Sequence, residues 1–172
     1  GNQLSGSLHA HTFARLASLE RLFLNGNRLS GLHPGTFTSL VRLTELNLDN
    51  NQIEELTANH DNTYCSLFAG LTSLVKLSLN CNRVEHVDAH AFRGLTQLRT
   101  LHLSKNRIER VDALAFADLA SLRVLWLNEN RIGTIHADTF APLAASLRVL
   151  RLNKNQLDEL EPAAFSRLTG HS

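Results

Sequence analysis

The sequence predicts an α/β repeat solenoid, with short parallel strands stacked into one sheet and return segments forming an outer side of irregular or 3-10 structure. Three observations predict it. A string LxxLxLxxNxL, its last place aliphatic, recurs six times, at residues 19–29, 43–53, 74–84, 98–108, 122–132 and 147–157. A phenylalanine precedes the first string and one follows each of the six, giving Phe13, Phe37, Phe68, Phe92, Phe116, Phe140 and Phe165. The spacings along that ladder are 24, 31, 24, 24, 24 and 25 residues, so a 24-residue unit is kept apart from seven extra residues before Phe68 and one before Phe165. Self-similarity at a period of this size marks stacked supersecondary units.

In chain order, residues 1–18 read as the back half of a unit, with Leu4, Leu8, Phe13 and Leu16 at apolar places. Six units follow at 19–42, 43–73, 74–97, 98–121, 122–146 and 147–172, the second carrying an insertion at 57–67, all within a single domain. Within a unit such as 98–121, Leu98, Leu101 and Leu103 are spaced three and then two apart, and the last pair is the period of a short strand. So short a strand cannot bury its leucines alone, so neighbouring units must stack and share one core. The Phe ladder is the spine of that core. Asn27, Asn51, Asn82, Asn106, Asn130 and Asn155 stand where the chain turns inward. Backbone groups left unpaired there would cost roughly 1–3 kcal/mol each. An amide side chain both donates and accepts, so the Asn column is expected to satisfy the turn of its own unit and of the next.

Bulk composition bounds the function. The 172 residues are 43% hydrophobic and 19% charged, as in ordinary soluble domains. The net charge of +1 gives no overall field toward nucleic acid or an acidic membrane, so neither nucleic acid nor direct membrane insertion is expected. The first residues lack the pattern of an export signal, and the absence of Met reads as a processed or cut piece. Cys65 and Cys81 are the two cysteines, and a single bridge or two free thiols are both open. The nine histidines, including the dense run His86, Asp88 and His90, offer no convergence of three or four ligands, so no metal is expected. Nothing resembles a nucleophile elbow, a phosphate-cradling Gly loop or paired carboxylates, which implies no catalytic residues, no cofactor and no enzyme.

The unit 98–121 fits LxxLxLxxNxLxxLxxxxFxxLxx at every framework place, with Val111, Phe116 and Leu119 on the outer side. In this it resembles leucine-rich repeat proteins of the 24-residue class, as in the arrays of Toll-like receptors, Slit-type guidance proteins, neuronal receptors and lamprey variable lymphocyte receptors. The resemblance covers about nine-tenths of the chain. It implies a right-handed horseshoe arc with the sheet on the concave face, an extracellular or cell-surface location, and protein or peptide ligands bound by the concave strands. Three departures accompany it: there are no cysteine-rich flanks, there is no Asn-x-Ser/Thr acceptor, and the chain starts and stops inside repeats. Uncapped ends would expose Leu-rich core. The rival to recognition is therefore a self-assembling solenoid, a homo-oligomer stacked end to end, which light scattering against concentration would distinguish.

Framework positions are set by packing, so a partner is chosen by the letters between them. The central exposed column is expected to run Phe23, Asn47, Ser78, His102, Trp126 and Arg151, flanked at the strand start by Arg99, Arg123 and Arg148. Trp126 is the single Trp and should face solvent; exposed Trp and Arg are the residue types most often found at binding hot spots. Lys105 and Lys154 add charge against one carboxylate, Glu129, which favours an acidic partner. The alternative is a solvated strand face with the Trp shielded by Arg stems. Six strands about 4.8 Å apart give a face of about 400 Å², half of what a standard interface takes from each partner. The insertion, with His60 and Tyr64, is a second candidate contact.

Overall fold

The structure is a computed structural model and describes residues 2–60, 63–160, 164, 165 and 168. Six strands form one sheet: Arg21–Phe23, Glu45–Asn47, Lys76–Ser78, Thr100–His102, Val124–Trp126 and Val149–Arg151. They lie in sequence order, each parallel to its neighbours. Sequential order follows from the repeat, since each unit is one full coil and returns the chain one strand further along. The middle Leu of every strand points into the core; Leu46, Leu77, Leu101 and Leu125 are fully buried.

Opposite the sheet runs the Phe spine. Neighbouring rings are nearly parallel, with centroids 6.0, 6.4, 6.0, 6.1, 6.2 and 5.9 Å apart from Phe13 to Phe165. Strands in a sheet sit only about 4.8 Å apart. The stack is thus longer on its Phe side than on its sheet side and must bend, leaving the strands on the concave face. The widest step, Phe37 to Phe68, is the one that spans the insertion, and it exceeds the others by only a few tenths of an ångström.

Three short two-stranded parallel sheets line the flank after the strand exits. They pair Ser5–Leu8 with Arg28–Leu32, His86–Val87 with Arg110–Val111, and Thr134–Ile135 with Glu159–Leu160. In their places the second unit carries its insertion, a hairpin of Thr57–His60 against Thr63–Ser66. The hairpin is docked at its base: Thr57 Oγ1 donates to Asp88 Oδ2 at 3.1 Å, and Ser66 Oγ donates to the Ala91 carbonyl at 3.1 Å. The outer side is otherwise turns, with a single 3-10 helix among the described residues, Ala141–Leu143. This short helix absorbs the one extra residue of the 122–146 unit.

The Asn column behaves as the turn requires, with one correction. Asn106 donates to the carbonyls of Leu103 in its own unit and Leu79 in the unit before, at 3.1 and 2.9 Å, and accepts from the Val84 amide at 3.1 Å. Asn51, Asn82, Asn130 and Asn155 repeat this pattern. The partner unit is therefore the preceding one. One residue before each Asn the backbone is left-handed, with φ between 55° and 59° at Asn50, Cys81, Lys105, Glu129 and Lys154 and 68° at Gly26. Non-glycine residues are uncommon there. They are held by amide bonds to the next unit, such as Lys105 N–H to the Asn128 carbonyl at 3.1 Å. At Gly70 (φ +93°) space also decides, since a Cβ would lie 2.5 Å from Thr38 Cα.

Candidate ligand-binding face

Strand register places the central column as the repeat predicts, with Phe23 beside Asn47, Asn47 beside Ser78, Ser78 beside His102, His102 beside Trp126, and Trp126 beside Arg151. In the last three strands this juxtaposition makes a stack. The His102 imidazole lies 3.9 Å from the indole centroid at an interplanar angle of 12°, and the Arg151 guanidinium carbon lies 4.3 Å over the ring. Both faces of Trp126 are therefore covered, and what the ring offers the concave space is its edge. Edges of aromatic rings carry the positive end of the quadrupole, so this edge adds to the cationic character of the neighbouring Arg151 and Lys105.

Burial holds the His102 imidazolium below its ordinary acidity range, helped by the positive charge of Lys76, with Asp49 opposing. His102 is thus the neutral member of the stack. Trp126 Nε1 is buried with no hydrogen-bond partner among the described residues. Beside the stack lies an open hollow of about 320 Å³ lined by Asp49, Asn80, Cys81, Lys105, Trp126 and Arg151, among others.

A polar floor runs along this side of the face. Asp49 Oδ1 accepts from Ser78 Oγ at 2.7 Å and from the Asn80 amide at 2.6 Å. Asn80 Oδ1 in turn accepts from the Ser104 amide, and Ser104 Oγ donates to Asn128 Oδ1 at 2.7 Å. Asn25, Asp49, Asn80, Ser104, Asn128 and Asn153 share one place in the repeat, but nothing in the letters says that members of this column bond to one another.

The remaining cations separate from the Trp. Arg99, Arg123 and Arg148 line their own cleft of about 450 Å³ at the strand-entry edge, together with Ala120, Ser121, Ala145 and Ser146. Lys154 Nζ sits 3.5 Å from Glu129, so that pair is neutralised. Phe23 is exposed at 55% but stands four strands from Trp126, about 19 Å along the sheet. The side chains of His60, Tyr64 and Cys65 lie outside the described residues, while Cys81 carries a free thiol. No group of three or more His, Cys, Asp or Glu among the described residues could hold a metal ion.

A family profile described as leucine rich repeat matches residues 1–53, 66–108, 96–146 and 122–170. The chain belongs to the leucine-rich repeat family. The gap in the match, 54–65, covers most of the hairpin insertion, which is foreign to the repeat. No curated protein matches the sequence. Among 265 matching solved chains, the crystal structure of a TLR13–ssRNA13 complex is similar over 94% of this chain, at 34% identity and a TM-score of 0.81. The array matches only 22% of that chain. No helix among the described residues is long and apolar enough to cross a membrane. Membership of this family and likeness to that structure support a ligand-recognition module in general terms.

Proposed function

We propose that this leucine-rich repeat array recognises a protein or peptide, extracellularly or at a cell surface, through the C-terminal half of its concave face, and that the partner is acidic where it meets the His102–Trp126–Arg151 stack. The observation that carries the reading is the stack itself. It packs an indole edge and a guanidinium against a neutral imidazole on an otherwise open strand face. Burying a Trp edge supplies apolar area, and the Arg151 guanidinium, which makes no ion pair among the described residues, supplies preference for a carboxylate. Since the flat face is smaller than a standard interface, the entry-edge cleft is needed to complete the contact.

A nucleic-acid ligand is the second reading. The TLR13–ssRNA13 structure favours it, and a near-neutral net charge does not exclude it, because the arginines are gathered in one place. Against it stands the covered Trp: single-stranded nucleic acid binds by stacking bases on ring faces, and here both faces are occupied.

Selection from a random peptide library against the whole chain tests the first reading. Enriched sequences should be rich in Asp and Glu, and their affinity should fall by about thirtyfold or more in Trp126→Ala/Arg151→Ala. Enrichment of basic or uncharged sequences, or unchanged affinity in the double variant, contradicts it.

A further inference from the structure

The entry-edge cleft differs in build from the stack and suits a different group. Arg99, Arg123 and Arg148 occupy one register place in three successive units, all exposed, and no carboxylate lines the cleft they share. Arg99 and Arg123 make no ion pair among the described residues. Two features make room between them. The last two residues before the strand unit are Ala120–Ser121 and Ala145–Ser146 here, against Val41–Arg42, Thr72–Ser73 and Thr96–Gln97 in the three units before. The single extra residue of the array also falls in this loop, where the chain takes the 3-10 turn Ala141–Leu143 and continues through turns to Ser146. Arg148 is tied there by bonds from Nη1 to the Ala145 and Leu147 carbonyls, at 3.3 and 3.2 Å.

We propose that this cleft binds a phosphate monoester carried on a side chain of the peptide partner; the inference rests on the recognition reading above. Three arginines from successive units, with two serines at the wall, line a space with no carboxylate among the described residues around it. One carboxylate would leave two of them uncompensated. A monoester presents about two negative charges at neutral pH and three terminal oxygens, and arginine clusters are the usual means of reading it. A phosphodiester offers one charge and two terminal oxygens, and its bases would need the ring faces that the stack has covered.

Phenyl phosphate, phenyl sulfate and benzoate, titrated at pH 7.5 into the whole chain and followed by amide shifts of Ser121 and Ser146, test the cleft without any partner. Phenyl phosphate should bind at least about tenfold more tightly than the other two, and Arg123→Ala should weaken it by about tenfold. Ala145→Leu, which fills the cleft and removes no charge, should abolish binding, while Trp126→Ala should leave it unchanged. Equal affinity for benzoate or phenyl sulfate overturns the proposal, as does tighter binding of a 5′-hydroxyl oligothymidine or an Arg123→Ala variant that binds normally. Acid-rich peptides that still require Trp126 would then leave the concave-face reading standing, so the two can fail separately.

Discussion

The first three concave strands and the last three are built alike and surfaced differently. Leu46 and Leu125 are both fully buried, and Asn51 and Asn106 make the same set of bonds to their own and the preceding unit. On the surface, the first half engages two of its carboxylates locally. Glu45 pairs with Lys76 at 2.8 Å, and Asp49 is occupied by Ser78 and Asn80. The second half gathers a ring stack and three arginines in a cleft with no carboxylate among the described residues that line it. The difference teaches that packing determines the framework letters in every unit, and that specificity is carried by the letters that packing leaves free.

If the halves share one scaffold, equivalent framework changes must cost the same in both. Asn51→Leu and Asn106→Leu each strip partners from three buried backbone groups, for a loss of about 3 kcal/mol or more in chemical denaturation. A loss at Asn106 alone would break the equivalence. Within the first half itself, neighbouring units should differ at the turn after the spine phenylalanine. Gly70→Ala drives a Cβ into the Thr38 backbone and should cost more than about 2 kcal/mol, while Gly94→Ala, with nothing within 4 Å, pays only for its positive φ, about 1 kcal/mol.

On the ligand side, Trp126→Ala should cost about 2 kcal/mol in affinity for a selected acidic peptide. Phe23→Ala, at the other end of the sheet, should change it within error. An equal loss from both would spread the site over the whole face.

The smallest expected effect is on pH dependence. The pKa of His102 is lowered by folding, so the unfolded chain holds its proton more tightly. The stability it contributes is full above the unfolded pKa and declines as pH falls below about 6.5 toward the lowered folded value. The melting temperature of His102→Gln should therefore fall less than that of the parent between pH 7.5 and 5. Identical pH profiles would place the titration elsewhere.

Much of this was legible in the letters because a repeat turns sequence position directly into register. The column from Phe23 to Arg151, the Phe spine and the Asn ladder all follow once the period is known. What escaped depends on side-chain direction or backbone torsion. Arg99, Arg123 and Arg148 stand near Trp126 in sequence register, yet they line a separate cleft at the entry edge with Ala120, Ser121, Ala145 and Ser146. The Asn ladder reaches back to the preceding unit and not forward, since the sense of the turn is not written in the spacing. The left-handed column at Asn50, Cys81, Lys105, Glu129 and Lys154 mixes four residue types, so only coordinates reveal it. The insertion was visible as a break in period, but its hairpin pairing was not, because residues 57–66 carry no alternating apolar pattern.

The most direct test of the central claim is a map of amide shifts for the whole chain on titration with a selected acidic peptide. Perturbations confined to Thr100–Lys105, Arg123–Glu129 and Arg148–Lys154 are predicted. Perturbations centred on Arg21–Gly26 and Glu45–Asn50, or on the Thr57–Ser66 hairpin, would contradict it.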